Sequence, residues 1–382
     1  MLRQKMMVYG QLKNIGKAFN NFIFKLSYMK FIKSYIRAIK YVSSLATFKE
    51  ENIPSLQFND ESYTGLNGED TIVRIFYSKN KSDQSIIIFP GASPYAEEHP
   101  GMLMLGNGLR NAGYNVYLPR VPALKKLKLE KENIDWFAHC YQELVQHKIG
   151  HKDNIMIVGL SYGGASLLRA TLDKRMQSPK PKSILSYGTY YSINTALDFF
   201  ITGAIQHKGE TYSITPHEWG PIVMFYNFIH TIDIPYDNIK IQNILKYRIQ
   251  DKHKEVDMEI DRLEDSKEKQ FIQNILDGKM TKEMQKMIQD MISNNLELLE
   301  YLSPEKWIKS IDNKVFIMHG ANDSMVPFTE STYLHDHLKD STLLISFLYE
   351  HREISTDRGI FFKLKEFVKL INFNAKYIRY NL

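Results

Sequence analysis

The chain has 382 residues, of which 43% are hydrophobic and 24% charged, and its mean hydropathy is −0.34. These values are typical of a folded globular protein and exclude one built from several membrane-spanning helices. The formal net charge is +6, and Cys140 is the single cysteine, which excludes an intrachain disulfide and a cysteine-built zinc site and favours a reducing, cytoplasmic compartment.

Positive charge is concentrated at the start of the chain. Residues 1–49 contain ten Lys or Arg and no Asp or Glu, so the remainder carries a net charge of −4. Binding of nucleic acid through the body of the protein is therefore disfavoured. The basic residues also interrupt every apolar run in this segment, so we expect neither a membrane-spanning helix nor a secretory signal there.

Residues 28–42 predict a basic amphipathic helix. A helical projection separates two faces, a basic one with Lys30, Lys33, Arg37 and Lys40 and an apolar one with Phe31, Ile32, Tyr35, Ile39 and Val42. Two interpretations stay open. The apolar face lies in an anionic membrane surface, so that residues 1–50 make a peripheral contact with it, or it packs on the rest of the protein or on a second copy.

After Pro54, short apolar runs alternate with longer helical patterns. Strands are predicted at 71–78, 85–90, 114–119, 154–160, 183–190, 314–320 and 342–349. Helical patterns separate most of these runs. Apolar strands alternating with helices predict a mostly parallel, doubly wound α/β sheet that is covered on both faces.

One interval interrupts this alternation. Residues 191–304 show no convincing strand and begin with an aromatic part that passes into a charged, helical part. We therefore predict four segments, namely a basic helical arm (1–52), the first part of the core (53–190), a helical cap insertion (191–304) and the second part of the core (305–382).

Gly159-Leu160-Ser161-Tyr162-Gly163 is a G-x-S-x-G motif. By itself it is only suggestive, but it directly follows a predicted strand and opens a predicted helix. A serine on such a sharp turn needs small neighbours, which the two glycines provide. The alternative is a glycine-rich turn that seats a phosphate, although neither common phosphate-binding fingerprint is present.

A serine nucleophile needs a base and an orienting carboxylate from later strands of the same sheet. Asp323 follows the strand at 314–320, and His351 follows the strand at 342–349. The resulting chain order, Ser161, Asp323 and His351, is that of serine hydrolases with a nucleophile elbow. His99, His319, His335 and His337 are the alternative histidines.

The motif and the segment "HGANDSMVP" resemble those of α/β-hydrolase fold serine hydrolases, in particular the monoacylglycerol lipase, lysophospholipase-like and serine aminopeptidase-like groups. The resemblance covers roughly residues 55–372 and implies Ser161 as nucleophile, Asp323 as acid and His351 as base. It also implies an oxyanion hole formed by the backbone N–H groups of Tyr162 and Ala92, with Ser93 as the alternative to Ala92.

The expected activity is hydrolysis of a small-molecule acyl ester, including lipid-like or thioester substrates, through an acyl-enzyme. The alternatives are an acyltransferase or peptidase with the same triad, or a non-catalytic binding protein of this fold. We expect no cofactor and no metal, because the adjacent residues of "HDH" at 335–337 point to different faces of a helix.

Overall fold

The computed structural model describes residue 25, residues 27–347 and residues 359–382. Its main sheet has eight strands, which are β1 (Asn59–Thr64), β2 (Asp70–Phe76), β3 (Ser85–Phe89), β4 (Asn115–Pro119), β5 (Ile155–Leu160), β6 (Ile184–Tyr187), β9 (Val315–Gly320) and β10 (Ser341–Ser346). All seven predicted strands are present.

The strand order is β1-β2-β4-β3-β5-β6-β9-β10. β2 runs antiparallel to both of its neighbours, and the pairs from β4 to β10 are parallel. This confirms the predicted mostly parallel sheet of the α/β-hydrolase fold. The carboxyl ends of β3, β5, β6, β9 and β10 therefore meet at one edge of the sheet.

In the main sheet, the strand missed by sequence reasoning is β1. Its residues, NDESYT, are mostly polar, and only Tyr63 is buried. It lies at the edge of the sheet and pairs with β2 alone, so one of its faces remains in water. An edge strand of this kind lacks the buried apolar run by which β3, buried at every position, was recognised.

Helices cover both faces of the sheet. The core helices are α1 (described over 27–46), α2 (Pro100–Asn111), α3 (Pro122–Lys125), α4 (Glu132–His147), α5 (Tyr162–Ala170), α13 (Phe328–His337) and α14 (Ile360–Asn381). One apolar core joins the sheet to α4, α5 and the insertion, and the other joins it to α1, α2 and α14.

The insertion lies between β6 and β9. It contains α6 (Ile193–Thr202), α7 (Trp219–Phe228), α8 (Asn238–Ile249), α9 (His253–Asp261), α10 (Ser266–Leu276), α11 (Lys282–Asn294) and α12 (Leu296–Leu302). The expectation that it contains no strand was wrong. β7 (Ala204–His207) and β8 (Glu210–Ser213) form an antiparallel hairpin, whose turn at Lys208 and Gly209 has positive φ at both residues.

Helix α1 packs on the core, but through a different face from the one predicted. Arg37, assigned to the exposed basic face, is buried, whereas Ile39, assigned to the apolar face, is 48% exposed. The Arg37 guanidinium donates hydrogen bonds to the carbonyls of Ala112 and Gly113, just beyond the end of α2, the latter at 2.8 Å. A helical projection of residue polarity assigns Arg37 to the exposed face, because it cannot show these carbonyl acceptors. Across the described ranges, no helix is both long and apolar enough to cross a membrane.

Candidate active site

Ser161 lies on the turn between β5 and α5, as the motif predicts. Its backbone has φ of 52° and ψ of −129°, a conformation that costs free energy for a residue with a side chain and that persists only where packing enforces it. Its N–H donates to the carbonyl of Tyr187 at the end of β6, at 2.7 Å. The serine is therefore held at the carboxyl edge of the sheet, at the start of α5.

The glycines around Ser161 lie so close to neighbouring segments that a side chain at any of them would force atoms to shift. A Cβ added at Gly163 would lie 1.9 Å from the carbonyl oxygen of Pro90, and one at Gly164 would lie 1.9 Å from the Thr189 Oγ1. At Gly159 the added atom would lie 2.7 Å from the Gly164 Cα. The turn thus packs directly against the loop that follows β3.

That loop places Ala92 and Ser93 beside the turn. Gly91 adjoins Ser161 so closely that an added Cβ would be 3.3 Å from the Ser161 Cβ. The N–H of Ser93 donates to the carbonyl of Leu124 at 3.2 Å, whereas the N–H of Ala92 has no acceptor within the described part of the chain. This geometry favours Ala92 over Ser93 as an oxyanion donor. Tyr162 is the first residue of α5, where a backbone N–H has no intrahelical acceptor.

Asp323 is buried in the loop after β9, with 1% of its surface exposed. Its Oδ1 accepts hydrogen bonds from the N–H groups of Met325 at 2.8 Å and Val326 at 2.9 Å. The Oδ2 lies 3.4 Å from the Nε2 of His319, whose Nε2 is also 2.8 Å from the Val326 carbonyl. The carboxylate is therefore held in one orientation by its own loop, and Met325 and Val326 line the same cavity as Ser161.

His351 lies outside the described residues. Strand β10 ends at Ser346, whose carbonyl accepts from the N–H of Ala321 at 2.8 Å, so β10 ends at the edge of the sheet that carries Ser161 and Asp323. The role of His351 as the base stays a prediction.

The four alternative histidines occupy distinct positions. His319 is fully buried, with its Nδ1 2.6 Å from the Ser331 Oγ. His335 contacts the Ser341 Oγ at 2.6 Å, and half-buried His337 contacts the Tyr333 carbonyl at 2.8 Å. His99 lines the cavity and accepts from the N–H of Gly101 as the N-cap of α2. None of these four follows β10.

Ser161 opens into a cavity of about 540 Å³. Its walls come from the insertion, the loop after β3, the end of β6 with the residues after it, and the first two helices. They include Phe200, Trp219, Val223, Met224, Tyr187, Tyr190, Leu105, Leu109, Tyr41 and Leu45. Most of these side chains are apolar, and such a lining suits an acyl chain. The contribution of α1 and α2 was not predicted, since it depends on a long-range contact that no local pattern shows.

Sequence reasoning also missed the polar end of this cavity. Glu218, Arg248, Asp251 and His253 line it at the insertion side. The Arg248 guanidinium is 3.5 Å from Asp251 and 3.9 Å from Glu218 and lies over the Trp219 ring at 5.4 Å. The sequence "RIQDKH" does not predict a cavity lining, because charged residues at this spacing are common on exposed helix ends.

Glu330 anchors the start of the insertion. This buried carboxylate on α13 accepts from the N–H groups of Tyr191 and Ser192, both at 2.9 Å, and from the Thr195 hydroxyl at 2.7 Å. Burial raises the pKa of Glu330 above its ordinary value. The anchored segment leads into α6, whose Ile193 and Leu197 line the cavity.

A family model described as BD-FAE matches residues 239–338, about a quarter of the chain. The matched segment includes Asp323 and excludes Ser161. No curated protein is significantly similar to this chain. Among solved structures, an esterase from Exiguobacterium antarcticum is 16% identical, with 84% of this chain and 99% of that one covered and a TM-score of 0.44.

Two further solved structures have similarly low sequence identities and TM-scores. The esterase domain of a Rhodothermus marinus protein is 10% identical over 85% of this chain and 98% of its own, with a TM-score of 0.43. An acylaminoacyl peptidase from Pyrococcus horikoshii is 11% identical, with 84% of this chain covered and a TM-score of 0.44, and this chain spans 41% of that enzyme. The fold assignment rests on this chain's own strand order, and the activity has to be argued from its site.

Proposed function

We propose that this chain is a serine hydrolase that cleaves carboxylic esters with an apolar acyl group, through an acyl-enzyme on Ser161. The observation that carries the proposal is the position of Ser161, at positive φ on the β5–α5 turn and open to an apolar cavity. Backbone strain of this kind is retained at functional sites, where it serves to expose a reactive side chain.

Each step of the proposed ester hydrolysis is assigned to a residue of this chain. The Ser161 Oγ attacks the ester carbonyl carbon while His351 takes its proton, and the N–H groups of Ala92 and Tyr162 bind the resulting oxyanion. Collapse of this intermediate breaks the ester C–O bond, and His351 returns the proton to the leaving alcohol. Water then hydrolyses the acyl-enzyme by the same route, with Asp323 holding the imidazole in orientation.

The cavity supports the choice of substrate. Its apolar walls extend from the insertion to Tyr41 and Leu45 of α1, which favours an extended acyl chain over a compact one. Its polar end, at Arg248 and Asp251, provides hydrogen-bonding groups for a polar leaving alcohol. A lipid-like ester combines both features, and a thioester with a long acyl chain would fit the same walls.

Hydrolysis of p-nitrophenyl esters of graded acyl length tests this proposal. We expect kcat/KM to rise from acetyl to longer acyl groups and Ser161→Ala to abolish turnover. Ser93 is the other serine in the cavity lining, so Ser93→Ala is the matched control and should retain activity. Turnover that survives in Ser161→Ala, or that is lost equally in both variants, would refute the assignment.

A further inference from the structure

Exposed apolar side chains are concentrated on the first and last helices. Ten of the nineteen large apolar residues exposed in the described part of the chain lie on α1 and α14, and each of the ten is at least 41% exposed. On α1 they are Tyr28, Met29, Phe31, Ile32, Ile36 and Ile39, and on α14 they are Phe361, Leu364, Val368 and Tyr380. Single exposed apolar residues are ordinary, but a concentration on two helices marks an interaction surface.

These two helices lie side by side. The Tyr35 hydroxyl donates to the Asn372 Oδ1 at 2.9 Å, and the Arg379 guanidinium lies over the Phe31 ring at 5.6 Å. On an ideal helix at about 100° per residue, Ile32 and Ile39 fall within roughly 60° of Tyr35. Four of the six exposed apolar residues of α1, namely Tyr28, Phe31, Ile32 and Ile39, thus lie beside the contact with α14, and Met29 and Ile36 extend this surface away from it. We call the surface that the two helices share the α1–α14 face.

The charges on this face have one sign. Residues 27–46 contain four basic and no acidic residues, and residues 359–382 contain five basic and one acidic residue, so these segments carry a net +8. The single acid, Glu366, is buried and forms an ion pair with Lys369. Lys33, Lys40 and Lys365 are exposed. Solvent therefore meets apolar side chains bordered by cations.

We propose that the α1–α14 face docks on an anionic lipid bilayer, with its apolar side chains in the interface and its lysines on the headgroups. Two helices of this composition match the pattern of interfacial rather than spanning helices. A second copy of the chain would bring the exposed lysines of this face against the same lysines, which opposes self-association. This proposal does not depend on the proposed hydrolase activity, since it concerns a surface outside the cavity.

Co-sedimentation of the full chain with vesicles tests the proposal. We expect binding to phosphatidylcholine vesicles that contain phosphatidylserine, weak binding to phosphatidylcholine alone, and loss of the difference at high salt. Ile36→Glu combined with Leu364→Glu should lower the partition coefficient by about tenfold or more. Ile239→Glu is the matched control, because Ile239 is 71% exposed but lies on α8 of the insertion.

A second set of variants tests the contribution of the lysines on the α1–α14 face. Lys33→Glu combined with Lys365→Glu should weaken binding to anionic vesicles selectively, whereas Lys282→Glu, at an exposed residue of α11, should not. Circular dichroism of each variant verifies folding. Equal binding to both vesicle types, equal effects of Ile239→Glu and the α1–α14 variants, or no vesicle binding would overturn the proposal. Concentration-dependent dimerisation that these variants abolish, without vesicle binding by the wild type, would instead assign the face to self-association.

Discussion

Substitution of Gly163 by Ala tests how the geometry of the turn affects catalysis, separately from its effect on the stability of the fold. The new Cβ would lie 1.9 Å from the Pro90 carbonyl oxygen. Real Cβ contacts essentially never fall below 3.0 Å, so the two atoms must separate by a further 1.1 Å at least. Because Pro90 precedes Gly91 and Ala92 in a backbone loop, this separation moves the Ala92 N–H relative to Ser161.

The expected loss can be estimated from this displacement. Misplacing a reacting group by about 1 Å, or losing one oxyanion donor, lowers kcat by about 10²- to 10³-fold. Overpacking of this size costs about 1–3 kcal/mol of the free energy of unfolding, which a fold stable by about 5–15 kcal/mol tolerates. We therefore expect Gly163→Ala to remain folded but to lose most of its kcat.

The assay is steady-state ester hydrolysis together with urea unfolding of the same preparations. Gly150→Ala is the matched control, since nothing lies within 4 Å of its added Cβ. Gly164→Ala is a graded comparison, because its main contact is the rotatable Thr189 hydroxyl, at 1.9 Å, rather than backbone. Wild-type kcat in Gly163→Ala would refute the reasoning, and so would parallel losses in Gly163→Ala and Gly150→Ala.

Three further predictions follow from buried charged groups. Asp323→Asn should lower kcat by about 10⁴-fold in a folded protein, measured by ester hydrolysis, because the imidazole loses its orienting carboxylate; unchanged kcat would contradict the triad. The raised pKa of Glu330 means that its contribution to stability is largest at acid pH and is lost as pH rises through that pKa. Urea unfolding should therefore show Glu330→Gln gaining stability relative to wild type above pH 4.5, and parallel pH profiles would refute this. Arg37→Met should reduce the free energy of unfolding by about 2–4 kcal/mol, against about 0.5 kcal/mol or less for exposed Lys40→Met, and equal losses would contradict the packing of α1.

The sheet was predictable where burial is complete. β3, β5 and β9 are continuous apolar runs because helices cover both of their faces, and the turn chemistry around Ser161 follows directly from β5. Polar β1 and the β7–β8 hairpin were not recognisable from the sequence, since their residues face solvent on at least one side. Backbone pairing with the neighbouring strand, which leaves no apolar pattern in the sequence, holds much of their structure.

The site was predictable only in part. Ser161 and Asp323 each follow a recognisable strand, so their position at one edge of the sheet could be inferred. The walls of the cavity could not be inferred, because Tyr41 and Leu45 reach it only through the packing of α1. Arg37 illustrates the reason, since its burial depends on carbonyl acceptors more than seventy residues away.

The central claim is that Ser161 is the nucleophile, and covalent trapping tests it most directly. The folded chain would be treated with a fluorophosphonate, digested with trypsin and analysed by tandem mass spectrometry. Cleavage after Lys152 and Arg169 yields one peptide that contains both Ser161 and Ser166, so fragmentation provides an internal control. We expect a single adduct on Ser161 that Ser161→Ala abolishes. No adduct on the folded protein, or an adduct on Ser166 or Ser93, would contradict it.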